Sequence, residues 1–165
     1  MEPTGTITKR SYPKLAAAVL FCLIAGSLGS LVTITGAGSW YSTLAKPFFV
    51  PPDWIFAPVW ITLFVLMGIA LFYIWDSGTE RREVKTALGI FGVQFFLNMI
   101  WSFLFFGLKS PLPGFIDIIL LWVMIVITIR AFYHVKKRAA YFLLPYLVWV
   151  SLALALNGAI YFMNP

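Results

Sequence analysis

The sequence predicts an all-α integral membrane protein: a bundle of five transmembrane helices with an aromatic, proline-rich loop between helices one and two. Three observations carry this. The chain of 165 residues is 61% hydrophobic and only 11% charged, whereas a soluble domain averages about 25% charged residues. Lys85 and Lys109 bracket twenty-three uncharged residues, and Asp53 and Asp76 bracket twenty-two. About 20 apolar residues cross the ~30 Å hydrocarbon core as a helix, and five such runs in so short a chain leave only lipid to cover them. Residues 1–165 read as one transmembrane domain, with helices at about 15–34, 54–75, 86–108, 114–133 and 140–163.

Residues 1–13 are a polar tail. The first span, Leu15 to Ile34, is rich in Ala, Gly and Ser. Lys9, Arg10 and Lys14 before it faintly resemble a signal peptide, but the apolar run is too long for one, and it is read as a retained span. Ala25/Gly29 and Gly26/Ser30 are small-residue pairs four apart, which let helix backbones approach closely in lipid. They serve either a neighbouring helix or a dimer face, and Gly89 and Gly92 on span three are an equal candidate for the dimer.

Thr35 to Ser39 form a Gly-containing turn. Then comes WYSTLAKPFFVPPDWIFAPVW, Trp40 to Trp60, holding three of the seven tryptophans. Lys46-Pro47 and Pro51-Pro52 interrupt any regular ladder, so Trp40 to Pro52 is expected to be a stiff non-helical loop. It is too apolar for a solvated linker and reads as a lid over a cavity. Asp53 is placed to cap the second helix, and Pro58 to bend or delay it. DSGTERREVK connects spans two and three, Lys109 to Pro113 turn into span four, and Val135 to Ala139 lead into span five.

Charge predicts orientation. Lys9, Arg10, Lys14, Arg81, Arg82, Lys85, Arg130, Lys136, Lys137 and Arg138 fall on one side, Lys46 and Lys109 on the other. The positive-inside rule puts the N-terminus in the cytoplasm and the C-terminus outside, most simply in the cell membrane. The net charge of +6 is therefore a topology signal and implies no nucleic-acid partner. Cys22 and His134 are the lone cysteine and histidine, which excludes a structural zinc site within one chain and argues against a Ser-His-Asp triad.

Polar groups at membrane depth mark the candidate site. Gln94, Asn98, Trp101 or Ser102, and Phe105 recur at helical spacing on one face of span three; Trp149, Ala153 and Asn157 do so on span five. An unpartnered amide in lipid costs several kcal/mol, so Gln94, Asn98 and Asn157 point inward, either to bond neighbouring helices or to line a ligand cavity. With Trp60 hanging from the outer end of span two and Trp40 in the loop, they form an outward-opening cup. Trp54, Trp75 and Trp122 read as interfacial anchors. Asp117 is the one carboxylate inside a span; it is either a functional acid or a dipole-complementing residue near water, and the second is preferred. Arg130 can snorkel. His134, at the inner end, is remote from the cup, so an iron porphyrin there would lack a histidine ligand.

The stretch from Trp40 to Trp60, then Gln94-x3-Asn98-x2-Trp101-Ser102 with Phe105-Phe106-Gly107, then Pro145-Tyr146-x2-Trp149 with Ala153 and Asn157, resembles the TspO/MBR family of tryptophan-rich sensory and translocator proteins. The resemblance spans residues 15 to 163. It implies five transmembrane helices, commonly a homodimer in membrane lipid, and a pocket beneath the first loop that binds porphyrins such as protoporphyrin IX or haem, benzodiazepine-type ligands and, in animal members, cholesterol. Trp60, Asn98, Trp101, Trp149, Ala153 and Asn157 match positions of that pocket, and Trp40, Phe64, Gln94, Phe105 and Tyr146 are expected to join them. Flat indoles would stack on a flat macrocycle. Trp60 and Trp149 match tryptophans implicated in light-dependent porphyrin breakdown in some microbial members. Two departures stand out: no Lys or Arg follows Tyr161, so sterol binding is not expected, and Phe64 stands where a tyrosine is usual.

The function implied is a tetrapyrrole-binding membrane receptor or carrier, with a role in porphyrin transport or stress regulation and no required cofactor or metal. The alternatives are a light-dependent porphyrin-degrading enzyme using Trp60 and Trp149, and a transporter of small apolar or cationic solutes.

Overall fold

The computed structural model describes residues 11–164; the expected tail with Lys9 and Arg10 falls mostly outside them. Among the described residues, five stretches are long and apolar enough to cross a membrane. The first is α1, Tyr12–Gly26, prolonged by a 3₁₀ segment, Ser27–Leu31. It starts and stops earlier than the expected 15–34. The hydroxyls of Ser27 and Ser30 donate to the carbonyls of Ile24 (2.9 Å) and Ser27 (2.6 Å), competing with the backbone ladder and tightening it toward the exit.

The loop is not wholly irregular. Ser39 accepts from the Ser42 amide at 3.3 Å and caps a single helical turn, α2, Trp40–Thr43, before Pro47 ends any continuation. The second span is α3, Asp53–Trp75, with Pro58 inside it. Pro52 occupies the cap position and Asp53 makes no side-chain cap bond; its charge instead faces the helix N-terminus within the first turn. The third span is α4, Arg82–Ser102, followed by a π-helical segment, Phe103–Gly107. It begins four residues before the expected Thr86, with Arg81 and Glu83 paired at 2.7 Å across its start. The fourth is α5, Pro111–Val135, with proline in the first turn, where no amide is needed.

The fifth span is broken. α6, Lys137–Phe142, stops at Leu143, and α7, Leu144–Met163, restarts with Pro145 in its first turn. One continuous helix was expected; the missing amide of Pro145 explains the interruption.

The closest helix pairs are α4 with α5, α1 with α3 and α5 with α7, while α3 meets α6. Glycines make the tight approaches. A methyl group on Gly68 would meet the Val19 Cα at 2.5 Å, and one on Gly26 would collide with the Phe64 ring. A methyl on Gly29 would reach the Ser102 Oγ at 2.8 Å. Gly26 and Gly29 are thus spent inside the chain, whereas Gly89 and Gly92 face open space. The Lys14–Asp76 pair, 3.4 Å and half exposed, joins the start of α1 to the end of α3.

Candidate functional site

One end of the bundle is closed by the loop. Trp40 packs edge-on against Phe105 (5.5 Å), and Tyr41 meets Phe105 (6.2 Å) and Phe106 (5.5 Å). Burial, and behind it the charge of Asp53, pushes the Tyr41 phenol above its ordinary range. It stays neutral near pH 7, so the Lys46 ammonium 4.0 Å over its ring makes a cation–π contact. The loop is also held from the far end of the chain. The Asn164 side-chain amide donates to the Ala45 carbonyl (3.0 Å) and its oxygen accepts from the Ala45 amide (2.9 Å). A further bond to the Ile160 carbonyl at 2.8 Å fixes Asn164 itself.

Beneath this lid lie two groups of residues. In the upper one, Trp101 stacks on Phe105 at 5.2 Å, and its indole N–H donates to the Asn157 oxygen at 3.1 Å. The Asn157 nitrogen donates to the Pro111 carbonyl at 3.3 Å. This ties α4, α5 and α7 together, and here interhelical bonding is what the amide does. Both of its polar ends are engaged.

The lower group differs. Trp60 stacks on Phe64 (5.5 Å) and meets Tyr146 edge-on (6.4 Å), while Phe56 packs against Trp149 (5.7 Å). Ala153 packs partly buried against the same core. Two of these rings carry polar atoms without partners, the Tyr146 hydroxyl and the Trp149 indole nitrogen, and both amide atoms of Gln94 on α4 and one oxygen of Asp117 on α5 are likewise buried without partners. Gln94 and Tyr146 are 1% and 0% exposed, and Asn98 is buried at 7%. Asn98 and Asp117 lie near the Tyr146 hydroxyl without closing a hydrogen bond to it. Orphaned polar groups at this depth cost about 1–3 kcal/mol each, and such groups call for an occupant, water or ligand.

A cleft of about 510 Å³ lies between α3 and α7 and has Trp149 in its wall.

Trp122 and Asp117 are placed differently from expectation. Trp122 is no free interfacial anchor: its indole N–H donates to the Ser151 hydroxyl at 2.8 Å, joining α5 to α7. Asp117 is 4% exposed, because α4 and α7 pack against its helix. Phe56 and Tyr41 belong to the site and were not singled out. Phe56, Trp60 and Phe64 recur every four residues, so helical spacing was the available signal for the first. His134 is exposed at the end of α5, beside the Tyr133 ring, as expected of an interfacial residue.

A family model described as the TspO/MBR family matches residues 18–163. The chain is 46% identical over 151 residues to the tryptophan-rich protein TspO of Chlorobaculum tepidum, covering 92% of this chain and 96% of that one. It is 45% identical over 152 residues to the protein of the same name from Archaeoglobus fulgidus, covering 92% and 97%. With the translocator protein of Ovis aries the identity is 39% over 149 residues, covering 88% of both.

Proposed function

Because the chain belongs to the TspO/MBR family of integral membrane proteins, we propose that it is a receptor or carrier for tetrapyrroles such as protoporphyrin IX. The observation that supports this most is the lower group. Indole, phenyl and phenol rings from α3 and α7 meet there, and the Tyr146 hydroxyl and the Trp149 indole nitrogen among them have no partner within the protein, as is true of the buried Gln94 amide on α4. Flat rings offer stacking surface to a flat apolar macrocycle, and unpaired donors and acceptors would orient its polar edge. Binding requires the rings to part, since they pack on one another.

The distribution of charge supports a cytoplasmic N-terminus and an external C-terminus in the cell membrane. Lys14, Arg81, Arg82, Lys85, Arg130 and Lys136–Arg138 gather at one end of the bundle, Lys46 and Lys109 at the other. In this orientation the lid faces outward. A homodimer would use the open face of α4 around Gly89 and Gly92, where added side-chain atoms meet nothing. Cross-linking from Gly89→Cys in membranes checks it.

The test of function is titration of the purified protein with protoporphyrin IX, followed by tryptophan quenching, in darkness and under light. Saturable quenching that persists in the dark, weakened by Gln94→Leu and Trp149→Phe, is the expected result. Absence of binding, with solute flux in liposomes, would replace this reading by a small-solute transporter. Bleaching of the porphyrin under light would turn it toward degradation.

A further inference from the structure

We propose that the ligand of the lower aromatic group enters from the lipid, through the cleft between α3 and α7, with the Trp149 indole as the partition between bilayer and interior. This rests on the reading that the group takes a flat apolar ligand.

The cleft is about 510 Å³, within the ~300–1,000 Å³ usual for ligand sites. Pro58, Thr62 and Leu66 form one wall, and Val148, Trp149 and Leu152 the other. The Thr62 hydroxyl is turned back to the Pro58 carbonyl at 2.8 Å, so the surface presented is hydrocarbon. Its depth matches: Val148 follows the start of the α6–α7 span by eleven residues, about 16 Å at 1.5 Å per residue. The opening faces acyl chains and not water, and what it admits is dissolved in the bilayer.

Trp149 touches both compartments. It lines the cleft, packs edge-on against Phe56 of the site at 5.7 Å, and its indole nitrogen is unpaired. Rotating it breaks no hydrogen bond. The route through the lid is costlier. It would break the two bonds between Asn164 and Ala45, lift Lys46 from Tyr41 and separate Trp40 and Tyr41 from Phe105. Pro58 and Pro145, one on each wall, also each remove a backbone hydrogen bond where the walls would have to flex.

The experiment compares association rates in lipid nanodiscs, with protoporphyrin IX as the probe and stopped-flow tryptophan quenching in the dark. Val148→Phe and, separately, Leu152→Phe narrow the cleft; Asn164→Ala frees the lid. Narrowing is expected to slow association and dissociation together by about tenfold and to leave Kd within about twofold, while Asn164→Ala leaves both rates unchanged. Unaltered rates in both narrowed variants, or faster association in Asn164→Ala, would overturn the lateral route. A wild-type protein that binds no porphyrin overturns the reading of the site instead. The cleft is then judged on its own by quenching with mid-chain brominated lipid. The part of the fluorescence lost in Trp149→Phe is expected to be quenched in wild type and shielded in Val148→Phe, and a Trp149 signal indifferent to bromine would sink the opening itself.

Discussion

The seam between α4 and α5 and the seam between α3 and α7 are built from the same apolar residue types, yet only the first is closed. Along α4 and α5, Phe91 stacks on Phe132 at 5.8 Å. Gly114 lies so close to Phe105 that a methyl group would meet the ring at 2.8 Å, and Trp101, Asn157 and Pro111 bond across the outer end. Between α3 and α7 there are ring contacts, Phe56 with Trp149 and Trp60 with Tyr146, but no hydrogen bond and no glycine. In lipid, apolar side chains gain little by leaving the solvent for one another, so close packing and hydrogen bonds decide which helices touch. Where both are missing the helices stay apart, and there the unpaired Trp149 nitrogen and the cleft are found.

The sharpest way to break this comparison is to crowd each seam. Gly114→Leu should destabilise the protein by about 3 kcal/mol or more, at the top of the range for overpacking a tight core. Val148→Phe, in the open seam, should shift stability by no more than about 0.5 kcal/mol. Thermal unfolding in detergent reads both, and equal losses would erase the distinction. Next come the amides. Asn157→Leu orphans the Trp101 N–H and should cost about 1–2 kcal/mol, whereas Gln94→Leu removes atoms that have no partner and should be neutral or stabilising while weakening porphyrin binding. A loss of stability in both would mean that Gln94 has a structural partner.

Two indoles near the middle of their spans, Trp149 and Trp122, sharpen it further. Trp149→Phe should leave unfolding unchanged, because its N–H is unpaired, and lower porphyrin affinity by about 1 kcal/mol through lost stacking area. The smallest effect is expected at Trp122→Phe. It gives up the bond to Ser151 and should cost about 0.6 kcal/mol of stability, with porphyrin affinity unaltered.

Much of the architecture was legible. Five spans follow from uncharged runs bounded by Asp53, Asp76, Lys85 and Lys109, because the bilayer thickness sets a length that a chain must meet. The inward direction of Gln94, Asn98 and Asn157 was legible too, and burial agrees for all three. Other features were not. Spacing says that Asn157 and Gln94 point inward, but not that one finds Trp101 and Pro111 while the other finds nothing, since a partner on another helix has no signature in local sequence. The break at Leu143 was visible in Pro145 but overshadowed by the unbroken apolar run. The role of Asn164 was invisible, because its partner, Ala45, lies 119 residues away and offers only backbone.

By itself the sequence determined that this chain lives in a membrane, how many times its helices are long enough to cross, and which faces carry rings and amides. These depend on composition and on the 3.6-residue period, both properties of a single segment. Tertiary structure alone decided which helices close on each other, which polar groups are satisfied, and that a cleft lies between α3 and α7. Those outcomes turn on contacts of a few ångströms between distant segments, such as Gly26 against Phe64 or Asn164 against Ala45, and no single segment contains that information.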